Sequence, residues 1–162
     1  MVASDAPSVR AEVVATVDGP DTEIVEVRNG PEVVDAVARH QPDLLVVDLQ
    51  MGSMGGMAVC LELRLEESYG KLDHVPVLML LDRRADVFLA RRSQAEGWIV
   101  KPLDPIRIRK AVTTILDGGE FHDASYMPMP VLVEDPSAGA GALPADAGAL
   151  PAGAEALSDA PT

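Results

Sequence analysis

Three polar residues stand at the ends of three short apolar runs in this 162-residue chain. Asp5 follows Met1-Val2-Ala3-Ser4, Asp48 follows Leu44-Leu45-Val46-Val47, and Lys101 follows Trp98-Ile99-Val100. If each run is a strand of one parallel sheet, all three groups emerge at its carboxyl edge. Ligands of open α/β sheets sit there, at the switch in strand order. Two carboxylates and one ammonium in one crevice suit phosphoryl chemistry. A carboxylate can attack phosphorus, and oxygen ligands can hold a hard divalent cation such as Mg²⁺. A lysine can neutralise phosphoryl oxygens as a point charge.

The intervening segments have the pattern needed to position such groups. From Met1 to about Leu116, short apolar runs alternate with stretches of helical period, the mark of βαβ units. Val9, Val13 and Val17 recur at helical spacing, with Pro7 at a first helical position. Glu23 to Val27 alternates and reads as a strand, and Val33, Val34 and Val37 mark a helix that Pro42 closes. Leu44 to Val47 is unbroken, as in a strand covered on both faces. A Gly- and Met-rich loop, Gln50 to Gly56, leads into a helix from about Met57 to Glu67 with Met57, Leu61 and Leu65 as its stripe. Val75 to Leu81 reads as another buried strand, whose Pro76 fits only near its start. Asp86 to about Ser93 reads as a short helix, and Trp98 to Val100 as the last strand. Asp104 and Pro105 then open a helix with Ile108, Val112 and Ile115 inward, closed by Gly118-Gly119. Strand and helix thus alternate five times.

Composition narrows the function classes. Apolar residues make up 48% and aromatics only 3%, so the core is aliphatic. The formal net charge of −13 opposes non-specific nucleic-acid binding, which needs a basic footprint. Seven of the 26 acids and none of the 13 bases follow Gly118, which leaves the first 118 residues at −6. The single cysteine, Cys60, cannot form an internal disulfide and reads as core, as expected in a reducing cytosol. No apolar run approaches membrane-spanning length, and no basic-then-apolar secretory leader is evident. His40, His74 and His122 lack ligand spacing. Gly52 to Gly56 does not follow the first strand as a dinucleotide fingerprint would, and no G-x-S-x-G supports a hydrolase.

The run Asp43-Leu44-Leu45-Val46-Val47-Asp48-Leu49-Gln50-Met51-Gly52-Ser53-Met54-Gly55-Gly56 resembles the phosphoacceptor segment of response-regulator receivers, D-L-x-x-x-D-x-x-M-P-x-M-D-G. Trp98 to Pro105 is similar to the family's aromatic-x-x-K-P ending. Ser4-Asp5-Ala6-Pro7-Ser8-Val9-Arg10 is similar to its D-D-x-P-x-x-R start. The likeness covers residues 1 to about 117. It implies a flavodoxin-like (βα)5 fold, a doubly wound five-stranded parallel sheet of order 2-1-3-4-5. By position it makes Asp48 the phosphoacceptor and Lys101 the phosphoryl contact. Asp5, Asp48 and the Gln50 carbonyl would hold Mg²⁺, with Ser4 a weak further ligand, and Trp98 would occupy the switch-aromatic place.

The departures from the pattern are specific. Ser4 replaces the first acid, and a hydroxyl binds Mg²⁺ less strongly than a carboxylate. Leu81 replaces a Thr or Ser and cannot hydrogen-bond a phosphoryl oxygen. Asp82 replaces a small residue, and its charge opposes an aspartyl phosphate. Gly52 and Gly55 replace Pro and Asp and are expected to loosen the loop. Leu81, Asp82 and Trp98 together mark the expected switch or partner face. Arg91, Arg92, Arg107, Arg109 and Lys110 form either a solvated basic face or a docking surface.

The expected organisation is a receiver-like domain over 1–119, an extended segment over 120–136 that either lies against the domain or is loose, and an acidic Ala/Gly/Pro-rich disordered tail over 137–162. AGALPA occurs twice in that tail, from Ala140 and from Ala147. The resemblance implies a stand-alone cytoplasmic receiver, not an enzyme, that takes a phosphoryl group from a sensor histidine kinase or phosphotransfer protein. It would signal by contact with a downstream protein or a second copy of itself. The tail is too short and too acidic for a DNA-binding domain. The alternative is a pseudo-receiver that binds protein without phosphorylation. A phosphatase using Asp48 as nucleophile would want a second acid two residues on, where Gln50 stands.

Overall fold

Side chains on successive strand residues point to opposite faces, and this alternation divides the core into two layers. The structure, a computed structural model, describes residues 1–124; the expectations for 125–136 and for the tail lie outside the described residues. Strands β1 (Val2–Ala3), β2 (Glu26–Val27), β3 (Leu45–Asp48), β4 (Val77–Leu81) and β5 (Gly97–Val100) alternate with helices α1 (Pro7–Val17), α2 (Val33–His40), α3 (Gly56–Ser68), α4 (Val87–Arg92) and α5 (Pro105–Leu116). The sheet is parallel throughout, in the order β2-β1-β3-β4-β5-β6, where β6 is Phe121–His122. Leu45, Val47, Met79, Leu81 and Trp98 face one layer with Val59, Cys60 and Leu63 of α3 and Ala90 of α4. Val46, Leu78, Leu80 and Ile99 face the other with Val13 of α1 and Ile108, Ala111 and Ile115 of α5.

The first five strands follow the expected order, and the sixth extends it. The segment expected to be extended from residue 120 begins with this edge strand, beyond the expected domain boundary at Gly119. Phe121 N donates to the Glu96 carbonyl at 3.0 Å and Asp123 N to the Trp98 carbonyl at 3.2 Å. So short a strand is not legible in isolation. Packing supplies the rest, as His122 stacks on Trp98 at 4.0 Å between ring centroids. Gly97 permits this approach. A Cβ there would stand 2.8 Å from both the Phe121 carbonyl oxygen and Ile115 Cδ1. Gly97→Ala is therefore expected to destabilise by about 1–2 kcal/mol and to perturb the single tryptophan's fluorescence. A melt and a spectrum matching those of the parent would show that β6 is not held this closely.

Two readings of periodicity need correction. In α3 the buried residues are Gly56, Val59, Cys60 and Leu63, while Leu61 and Leu65 are 44% and 50% exposed. The helix carries apolar residues on two faces, and period alone does not choose between them. The choice is made where the helix begins, since Gly56 lies against the Asp48 carbonyl. The second strand is also shorter than Glu23 to Val27. Val2 N first reaches that segment at the Val25 carbonyl, 2.8 Å away, so Glu23 and Ile24 stay off the ladder.

Candidate functional site

Asp48 is the last residue of β3, the strand between β1 and β4. Its backbone continues a fully buried apolar strand, which leaves the carboxylate 1% exposed. The ends of β1 and β5 lie at the same edge. They bring Ser4 and Lys101 onto it, although 44 and 53 residues separate them in sequence.

Lys101 Nζ donates to both carboxylate oxygens, at 2.8 Å to Oδ1 and 2.9 Å to Oδ2. Ser4 Oγ donates to Oδ2 at 2.9 Å, and Gln50 N to Oδ1 at 3.3 Å. A carboxylate offers about four acceptor positions, so Asp48 is saturated by its own chain. Lys101 Nζ also reaches Asp82 Oδ1 at 3.1 Å. Burial works to lower the Lys101 pKa, but the bonds and charges of Asp48 and then Asp82 outweigh it. The ammonium is held above the ordinary lysine value. The Lys101–Pro102 peptide bond is cis.

Asp5 is exposed, and its Oδ2 accepts from Gly52 N at 2.8 Å. Asp5, Asp48 and Asp82 set three carboxylates against the one Lys101 ammonium. The loop after Asp48 is held rather than loosened by its glycines. Gly56 N donates to the Leu49 carbonyl at 3.1 Å and Met54 N to the Gly52 carbonyl at 2.8 Å. At Gly55 a Cβ would sit 2.6 Å from the Leu49 oxygen, so close backbone approach demands glycine there. Gln50 is exposed beside the site.

The residues expected at a switch or partner face divide between interior and surface. Leu81 is fully buried in the apolar cluster that also holds Trp98, whereas Asp82 keeps 39% side-chain exposure. Trp98 is 1% exposed, stacked on His122, with the Arg91 guanidinium 5.3 Å from its ring. Here it packs instead of offering a surface, and its Nε1 has no acceptor among the described residues. The basic residues do not form one free face. Arg109 Nε donates to the Thr16 carbonyl at 3.0 Å, and Arg107 turns back onto Pro102 and Asp123.

Three residues that shape this edge were not assigned to it from the sequence, where Arg107 reads only as part of a basic face. Arg10 Nη1 donates to the Ser4 carbonyl at 2.6 Å and its Nε pairs with Glu26 at 3.0 Å, which ties the ends of β1 and β2. Its place at the end of the D-D-x-P-x-x-R pattern was the available signal. Arg107 and Asp123 are the other two. Nothing local marks them, because their partners come from another element.

Comparison with known proteins agrees with this architecture. Residues 1–113 match the family model described as the response regulator receiver domain. An uncharacterized response regulatory protein of Mycobacterium tuberculosis is 34% identical over 99 residues, covering 61% of this chain and 71% of that protein. The DNA-binding response regulator MtrA of Mycolicibacterium smegmatis is 29% identical over 129 residues, covering 78% of this chain and 54% of MtrA. Among solved structures, the signal receiver domain of the response regulator NarL from Mycobacterium tuberculosis gives a TM-score of 0.62 at 28% identity, covering 72% of this chain and 94% of that one. The chemotaxis response regulator CheY4 of Vibrio cholerae gives 0.60 at 24% identity, covering 69% and 93%, a likeness of fold alone. The family match over residues 1–113, together with the parallel sheet of order 2-1-3-4-5-6, places this chain in the response regulator receiver family.

Proposed function

We propose that the chain accepts a phosphoryl group on Asp48 from a sensor histidine kinase or phosphotransfer protein and signals by protein contact in the cytoplasm. The observation that carries this reading is the bidentate Lys101–Asp48 pair at the carboxyl edge of the sheet. A carboxylate oxygen placed against a fixed ammonium has a charge waiting for the phosphoryl oxygens that an attack would bring. Lys101 would transfer its bonds from Asp48 to those oxygens without leaving the crevice. Among the described residues no helix is long and apolar enough to cross a membrane.

The donor set fits Mg²⁺. Asp5 is exposed and oriented by Gly52 N, a Cβ on Gly52 would meet only Asp5 Oδ2 at 3.6 Å, and the three carboxylates exceed the single ammonium in charge. Asp5, Asp48 and the Gln50 carbonyl would hold the ion, with Ser4 turned to Asp48 instead. When bound, Mg²⁺ would offset the negative charge of an incoming phosphoryl donor. Asp5 and the Gln50 carbonyl would supply oxygen ligands, while Lys101 keeps its pair with Asp48.

One feature favours the pseudo-receiver reading. The acceptor positions of Asp48 are already filled by Ser4, Gln50 and Lys101. Intact mass after incubation with acetyl phosphate and Mg²⁺ separates the two. Gain of one phosphoryl group, absent in Asp48→Asn, is the expected result. A folded protein that stays unlabelled beside a labelled control receiver would replace the proposal with phosphorylation-independent protein binding.

A further inference from the structure

The segment after α5 reaches back to the turn that carries Lys101. Asp123 is 2% exposed, and its Oδ2 accepts from Val100 N at 3.1 Å and from Arg107 Nη1 at 2.6 Å. Arg107 Nη2 in turn donates to the Pro102 carbonyl at 2.6 Å, and Nη1 lies 3.4 Å from the Val100 carbonyl. The two residues that flank Lys101 are thus held from one side by an ion pair between α5 and the chain beyond β6. Arg107 is itself set by the first turn of α5, where its backbone N donates to the Asp104 cap at 2.9 Å.

From this we infer that Arg107 and Asp123 are positioning residues for Lys101. By holding Val100 and Pro102 they set where the ammonium meets Asp48. The physical reason is the length of the lysine side chain. Its charge is as well placed as the backbone it hangs from, and among the described residues the Lys101 backbone is anchored by its N–H to the Leu81 carbonyl at 2.8 Å. A partly buried charge-assisted pair stiffens the turn from one side. The same pair makes the acid site sensitive to whatever moves β6, since Asp123 and His122 belong to one short segment. This inference rests on the proposed role of Lys101 in phosphoryl transfer.

The test uses the full chain carrying Asp123→Ala, Lys101→Ala or both. Three readouts are followed: acetyl phosphate labelling of Asp48, thermal melting, and amide exchange at Val100. Asp123→Ala is expected to slow labelling roughly tenfold or more. It should add little to Lys101→Ala, because both act through one ammonium. The Val100 amide should exchange faster while amides of β3 are unchanged. If Asp123→Ala does not fold, Asp123→Asn and Arg107→Lys are read in the same way. Labelling at the parent rate, or deficits that multiply in the double variant, would overturn the positioning role. If the parent chain itself is never labelled, the phosphoacceptor reading fails separately, and Val100 exchange alone then decides whether the clamp exists. Unchanged exchange in Asp123→Ala would remove it.

Discussion

Replacing Lys101 by methionine is expected to destabilise the protein by about 3 kcal/mol, while the same change in an Asp48→Asn background has a much smaller effect. The reason is asymmetric. Asp48 is 1% exposed, and Lys101 supplies its only formal positive charge among the described contacts. Removing the ammonium leaves a buried carboxylate beside Asp82, with only Ser4 Oγ and Gln50 N still donating. The neutral amide of Asn needs no counter-charge. Asp48→Asn alone should be nearly neutral, since Lys101 retains Asp82 at 3.1 Å. Chemical denaturation of the four proteins gives the coupling directly, and equal losses in both backgrounds would show that Lys101 stabilises by something other than Asp48. The pH dependence has a definite sign. The folded-state pKa of Lys101 is raised, so its contribution is fully present below the ordinary lysine value. That contribution fades only as pH climbs through the raised value. Between pH 6 and 9 the difference between parent and Lys101→Met should therefore owe nothing to lysine titration.

Gly56→Ala carries the second large effect, a loss of about 2–3 kcal/mol. A Cβ at this position would stand 2.5 Å from the Asp48 carbonyl oxygen, 3.0 Å from its carbon and 3.2 Å from Leu49 Cα. All three are backbone atoms of β3 and its exit, so no side-chain rotation relieves the clash. Alanine is the better helix former, but that gain of up to about 1 kcal/mol is smaller than the overlap. Either α3 retreats from the sheet or the end of β3 shifts, and the second response moves Asp48 itself. Gly56→Ala should therefore slow acetyl phosphate labelling as well as lower the melting temperature. At Gly70, where φ is +68° and nothing lies within 4 Å, the analogous alanine is strained by its backbone alone and leaves labelling untouched. Should Gly56→Ala melt like the parent, the packing of α3 against β3 would have to be looser than the geometry requires.

Much of the architecture was legible in one dimension because its signals are local. Leu44 to Val47 and Val75 to Leu81 are largely apolar runs of strand length, as buried parallel strands are, and the strands run Leu45–Asp48 and Val77–Leu81. Pro7 and Asp104-Pro105 mark helix starts through the fixed φ of proline and the acceptor of an Asp cap. Asp104 Oδ1 does accept from Arg107 N. The placement of Asp5, Asp48 and Lys101 at one edge follows from the strand ends and the parallel order, without any side-chain detail.

Where contacts span elements, the residue types alone were ambiguous. α3 offers Leu61 and Leu65 on one face and Val59, Cys60 and Leu63 on another, and only the seat of Gly56 on β3 selects the second. Trp98 sits near the end of the apolar sequence, yet it lies inside the sheet because β6 returns to cover β5. Arg107 reads as one member of a basic stripe until Asp123, sixteen residues on, is placed beneath it. Ser4 reads as a weak metal ligand until its hydroxyl is found donating to Asp48.

By itself, then, the order of amino acids determined the alternation of strands and helices and the three charged groups at the strand ends, since hydrophobic period and turn chemistry act within a few residues. The tertiary structure alone decided which oxygen each donor meets, which helix face is buried and that Asp123, just past a sixth strand, meets Val100 and Arg107. Those choices depend on close packing between segments tens of residues apart, where a few tenths of an ångström separate a contact from a clash.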